Sequence, residues 1–175
     1  MSHTVGNAIA DSLEHSLRYV DRLLVGVTPA QFARLATPGG VTIQSNHAAF
    51  ALGHLSIYGP RIVEHLGGDV AVLTPSPKFV DAFSKDARCV DDPTGTIYPP
   101  MAEVVEAFNA TYRATLPVLR SADDALMAQA NPSGGRLTEL FPTLGSMLAF
   151  YAGGHVSMHL GQVSAWRRML GLPEA

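Results

Sequence analysis

Apolar positions along the first stretch of the chain fall at Ile9, Leu13, Leu17, Val20 and Leu24, in steps of four, four, three and four. That is the period of one helix face, and it predicts a helix over about residues 4–26. Thr28 and Pro29 then stand where a helix cap and a first helical residue belong, so "TPAQFARLA" predicts a short helix. "TPGG" at 37–40 breaks the pattern. A second helical period runs from about 43 to 66, with Ile43, His47, Phe50, His54, Ile57 or Tyr58, and His65 on its inner face. Pro60 should kink it, and Gly67 and Gly68 should end it.

Residues 67–98 form a long connection rich in Pro, Gly and Asp, with a short helix expected near 78–84. A connection of this length can carry the chain back along a helix of about 30 Å, which would let the second and third long helices run parallel. The third helix is expected over 99–121, opened by Pro99 and Pro100, with Met101, Val104, Val105, Phe108, Tyr112, Leu116 and Leu119 buried and Pro117 bending its end. A polar stretch and "NPSGGRL" follow, and a fourth helix is expected over 142–170. No strand alternation of useful length appears. The expected fold is all-α, a four-helix bundle forming a single domain over residues 1–175.

Composition narrows the function classes. The chain is 47% hydrophobic and 15% charged, enough apolar material for a substantial core. Its net charge of −3 gives no basic footprint for nucleic acid. There is one cysteine, Cys89, so no intrachain disulfide forms, and apart from Arg88 it has no basic or ligand partner nearby in the sequence, which reads as an inert thiol. The N-terminal stretch has no continuous apolar segment of the secretory kind, and no long uncharged apolar run predicts a membrane span. A cytoplasmic globular protein without membrane or nucleic-acid partners is expected.

Candidate chemistry lies in the histidines. On the fourth helix Leu144, Leu148, Tyr151, His155, His159, Gln162 and Trp166 share one stripe. His155 and His159 are about 40° apart around the axis, so both rings can point at one ion. The spacing alone is weak, since two core-edge histidines bonded to backbone or water would look the same. A shared metal would satisfy both rings at once. His47, His54 and His65 lie close to one line on the second helix, but only His54 sits at the matching depth. His65 reads as a histidine beside a helix C-terminus, and His3 and His15 read as surface residues.

Three imidazoles suit a transition metal rather than Mg or Ca, and leave a position open for water or substrate. The pair is not a zincin motif, because Val156 stands where the general base would be. Gln162 is a candidate hydrogen-bond partner of a ligand, and Tyr58, Tyr151 and Gly154 are candidate pocket residues. Gly153 and Gly154 cost helix stability directly before a ligand. They either admit a substrate or let a neighbouring helix pack closely.

"GHL" in the second helix and "HVSMHLGQVSAWRRMLG" in the fourth resemble the DinB-like/YfiT-like family of metal-dependent proteins. The matching positions are His155, His159, Gly161, Gln162, Arg167, Arg168, Leu170 and Gly171, with His54 in the place of the third ligand. The resemblance implies an up-down-down-up four-helix bundle, often a homodimer, binding Ni or Zn. Three readings of function follow. One is a metal-dependent hydrolase of a small molecule. A second is a thiol transferase or isomerase using a low-molecular-weight thiol, as some relatives do. The third is a non-catalytic bundle that binds a metal or small ligand.

Overall fold

The computed structural model describes residues 4–175, and among them the chain is all-helical. The reading of His3 lies outside the described residues. α1 covers Val5–Leu24, capped by the Thr4 hydroxyl, which accepts from the Asn7 N–H at 3.2 Å. Its apolar stripe is buried through Ile9, Leu13, Leu17, Val20 and Leu23. α2 (Pro29–Phe32) follows Thr28, whose N–H donates to Gln31 Oε1.

The expected second helix is two shorter ones: α3 (Ala48–Ser56) and α4 (Gly59–His65), separated at Ile57 and Tyr58. Pro60 thus opens a new helix rather than kinking a continuous one, as suits a residue that cannot donate to the preceding turn. The helix also starts five residues later than the apolar period suggests, because His47 caps it. The Phe50 N–H donates to His47 Nδ1 at 3.1 Å, so His47 Nε2–H donates to the Val90 carbonyl at 3.0 Å. His47 is therefore buried, but as a cap and not as a residue on a helix face.

α5 (Pro77–Phe83) is the short helix expected in the long connection. The end of that connection is held down by acids. Asp91 accepts from Arg34 and from the Leu35 N–H, and Asp92 accepts from the N–H groups of Thr96, Ile97 and Tyr98. Burial pushes the Asp92 carboxyl up, but these donors pull it below its ordinary range.

α6 (Met101–Ser121) runs through Pro117. Two short helices, α7 (Asp124–Met127) and α8 (Gly135–Leu140), occupy the stretch read as merely polar. The last long element is composite: α9 (Leu144–Ala149), one π-helical turn at Phe150–Gly154, and α10 (His155–Met169). α1 packs on α6 and α10, and α3 packs on the same two helices. Their shared core holds Leu13, Leu52, Leu55, Phe108, Tyr112, Leu148 and Trp166.

Of the two arginines late in α10, Arg167 is buried. It donates to the carbonyls of Arg22, Leu23 and Val25, which closes the C-terminal end of α1. Arg168 is exposed. His15 is exposed and His65 half-buried. No described helix is long and apolar enough to cross a membrane.

Candidate metal centre

His54 on α3 and His155 and His159 on α10 come together, with one ring nitrogen from each lying within 4.8 Å of the others. Ring centroids are 5.2 Å apart for His54–His155, 4.9 Å for His54–His159 and 4.8 Å for His155–His159. His54 and His155 are buried and His159 half-buried.

Hydrogen bonds decide which nitrogen is free on His54 and His159. His54 Nδ1 lies 2.7 Å from the Phe83 carbonyl, which can only accept, so Nδ1 carries the proton and Nε2 is bare. His159 Nδ1 donates to Gln162 Oε1 at 2.9 Å, and the same oxygen accepts from Asn46 Nδ2 at 2.9 Å. Its bare Nε2 accepts from His155 Nε2–H at 3.2 Å, a proton that a bound metal would replace. His155 Nδ1 is buried and has no hydrogen-bond partner among the described residues.

Burial keeps the rings neutral. It lowers His54, with the charge on Arg61 adding to the effect. His155 is pushed down to about 3 by burial, then by His159 and His54. His159 is pushed down to about 4 by burial and His54. Neutral imidazoles with inward-facing Nε2 atoms, those of His155 and His159 3.2 Å apart, fit a divalent transition metal. Those on His54 and His159 are aimed by acceptors behind them, the usual support of a metal-ligating histidine.

Two of these supports escaped sequence reasoning. Asn46 lies in the segment expected to be helical, and no sequence signal ties it to Gln162. The Phe83 carbonyl reaches His54 because Gly53 leaves room for α5. A Cβ on Gly53 would stand 2.5 Å from the Phe83 ring. The glycine before His54 is therefore the one that lets a neighbouring helix approach.

The pair before His155 does something else. A Cβ on Gly153 would meet only Ser12 Oγ at 4.0 Å, and one on Gly154 only the Phe150 ring, at 3.3 Å. Both belong to the π turn, whose last bond runs from the His155 N–H to the Phe150 carbonyl, five residues back.

A cleft of about 550 Å³ opens in front of His155. Tyr58, Tyr151, Phe150 and Ile57 form walls, and Arg61 and Lys85 line it as well. Gly154 is not among its lining residues. Tyr58 packs 4.5 Å from the His155 ring and 5.3 Å from Tyr151. Cys89 does not line the cleft, and burial pushes its thiol up to about 11.

The model of the DinB superfamily matches residues 12–163, a span that contains all three histidines and the long connection. The chain belongs to the DinB superfamily. No curated protein matches it closely enough to stand as a relative. Among the described residues of this superfamily member, the three-histidine group could hold a metal ion.

Proposed function

We propose that this DinB-superfamily protein is a divalent-metal-dependent hydrolase of a small molecule, with Ni or Zn held by His54, His155 and His159. The proposal includes an up-down-down-up arrangement of the four long helical segments and a homodimer in solution. The observation that carries it is the convergence of three neutral rings beside an open cleft, with the outer nitrogens of His54 and His159 already anchored. A metal in such a site lowers the pKa of a bound water and polarises a substrate oxygen.

The chain's own residues supply the rest. The Phe83 carbonyl and the Asn46–Gln162 pair keep two rings aimed inward. Phe150, Tyr151 and Ile57 keep water from one side of the cleft. Burial holds the Tyr58 phenol above its ordinary range, so it stays protonated and can donate to a substrate oxygen.

A second reading is a thiol transferase or isomerase, and one observation favours it. Among the described residues the one carboxylate lining the cleft is Asp86, which is exposed. A thiol ionises at a pKa of about 8.5 unaided, far below water, and needs less help from a base.

The test is metal content in protein purified without a metal-affinity tag. About one ion per chain is expected, lost in His155→Ala and His159→Ala. Turnover of esters or amides without thiol supports the hydrolase, and metal-dependent conjugation of a thiol to an electrophile supports the second reading. Metal retained with neither activity would leave a binding bundle. Wild-type protein without metal would sink both enzymatic readings.

A further inference from the structure

The molecule carries a net charge of −3, yet the cleft in front of His155 is lined by two cations, Arg61 and Lys85, and one acid, Asp86. Arg61 is placed by packing and not by pairing. Its guanidinium lies over the Tyr58 ring, 4.8 Å from the centroid. Arg34 is engaged with Asp91, Arg120 with Asp11 and Glu14, and Arg167 with three carbonyls; Arg88, Arg113 and Arg136 are unpaired among the described residues but do not line the cleft. Arg61 has no ion pair or hydrogen bond among the described residues, although its charge is felt at both His54 and Tyr58.

Below that charge the walls are flat and apolar. Phe150 stacks on Phe141 at 4.7 Å and 20°, and on His155 at 5.5 Å and 26°. Leu137, Ile57 and Val80 line the same space. A volume of about 550 Å³ suits a small molecule. An apolar wall with an unpaired guanidinium held beside it is complementary to one ligand shape: a flat apolar body ending in an anionic group.

We propose that the cleft selects a small organic anion, its acid group held by Arg61 with Lys85 assisting, and its apolar body against Phe150 and Tyr151. This sets the substrate class of the reading above and rests on it for the chemistry, but the anion site itself needs no metal. Arg61 is a specificity-determining residue in this arrangement. The acid group is a carboxylate or a phosphate, since either matches the guanidinium fork.

The experiment uses the full chain, stripped of metal, and three probes of like shape: benzoate, phenyl phosphate and neutral benzamide. Binding is followed by ligand-observed NMR and calorimetry. At least one anion should bind about tenfold tighter than benzamide, and weaken with added salt. The anion that binds tighter identifies the acid group. Arg61→Gln should bring that anion to the benzamide level while keeping the wild-type Tm and metal content, and Lys85→Gln should weaken it less. His155→Ala should lose metal and keep the salt-sensitive anion preference. Equal binding of all three probes, no binding of either anion, or full affinity in Arg61→Gln overturns the inference. Metal retained in His155→Ala would instead count against the three-histidine centre and leave the anion site standing.

Discussion

Both ligand-bearing helices place glycine directly before a histidine, and the two placements do opposite work. On α3, Gly53 sits under a neighbour: any side chain there would enter the Phe83 ring. On the other side, Gly153 faces only Ser12 Oγ at 4.0 Å and Gly154 only the Phe150 ring of its own turn, and both belong to a wide turn that ends at His155. One glycine makes contact possible between helices. The other two accompany a change of backbone geometry within a helix. The same residue type before the same ligand type thus has two physical causes, and only the three-dimensional neighbours tell them apart.

The largest effect that would sharpen this contrast is expected from Gly53→Ala. Phe83 cannot move aside easily, because it is fully buried, with Phe79 at 4.7 Å and Tyr98 at 5.5 Å. Overpacking of this kind costs about 1–3 kcal/mol, and offsets the gain of about 1 kcal/mol from a better helix former. Displacing α5 also withdraws the carbonyl from His54 Nδ1, so metal affinity should fall about 10–100-fold. Thermal unfolding and metal titration check this. Wild-type values for both would mean that Phe83 relaxes freely and that Gly53 seats nothing.

A smaller effect separates the two sides by pH. His155 and His159, at about 3 and about 4, lie below the ordinary histidine value of 6.5. The unfolded chain therefore takes up protons first as pH falls. The stability tied to these neutral rings is complete above about pH 6.5 and is lost progressively toward pH 4 and below. His47, also lowered by burial, adds to the slope from the α3 side. Metal-free protein should show a Tm that declines as pH falls from 6.5 to 4.5. His155→Ala should decline less steeply, keeping the parts due to His159, His54 and His47. Identical slopes would mean that His155 does not share the linkage.

How much of this was legible in the sequence follows from the range of each interaction. Helical periods and local caps are set within a few residues, so the spans of α1, α5 and α6 could be read from spacing. The convergence of His54, His155 and His159 was also readable from spacing and facing, although the depth count treated α3 and α4 as one helix and the structure puts His54 in the last turn of α3. The cap at His47 was not, since an apolar period continues back to Ile43 and hides the boundary. Asn46 with Gln162, and Phe83 with His54, join residues that are 116 and 29 positions apart. No local pattern encodes such pairs. The π turn was half legible: two glycines mark a departure from ordinary helix, but its form depends on a hydrogen bond five residues back.

The smallest expected effect is the one that tests the contrast most directly. Gly153 has a negative φ, and its missing Cβ would meet only Ser12 Oγ, at ordinary contact distance. Nothing therefore resists a methyl group. Gly153→Ala should leave metal affinity within about twofold of wild type, and gain at most about 1 kcal/mol from helix propensity. Gly154→Ala is the informative neighbour. Its Cβ would press on Phe150 at 3.3 Å, and Phe150 stacks on His155 and lines the cleft. It should leave metal content intact while altering benzoate or phenyl phosphate binding, because the push falls on a wall and not on a ligand. Loss of metal in Gly153→Ala would break the comparison. It would mean that the wide turn depends on glycine itself, and that backbone freedom before His155 matters as much as the space above Gly53.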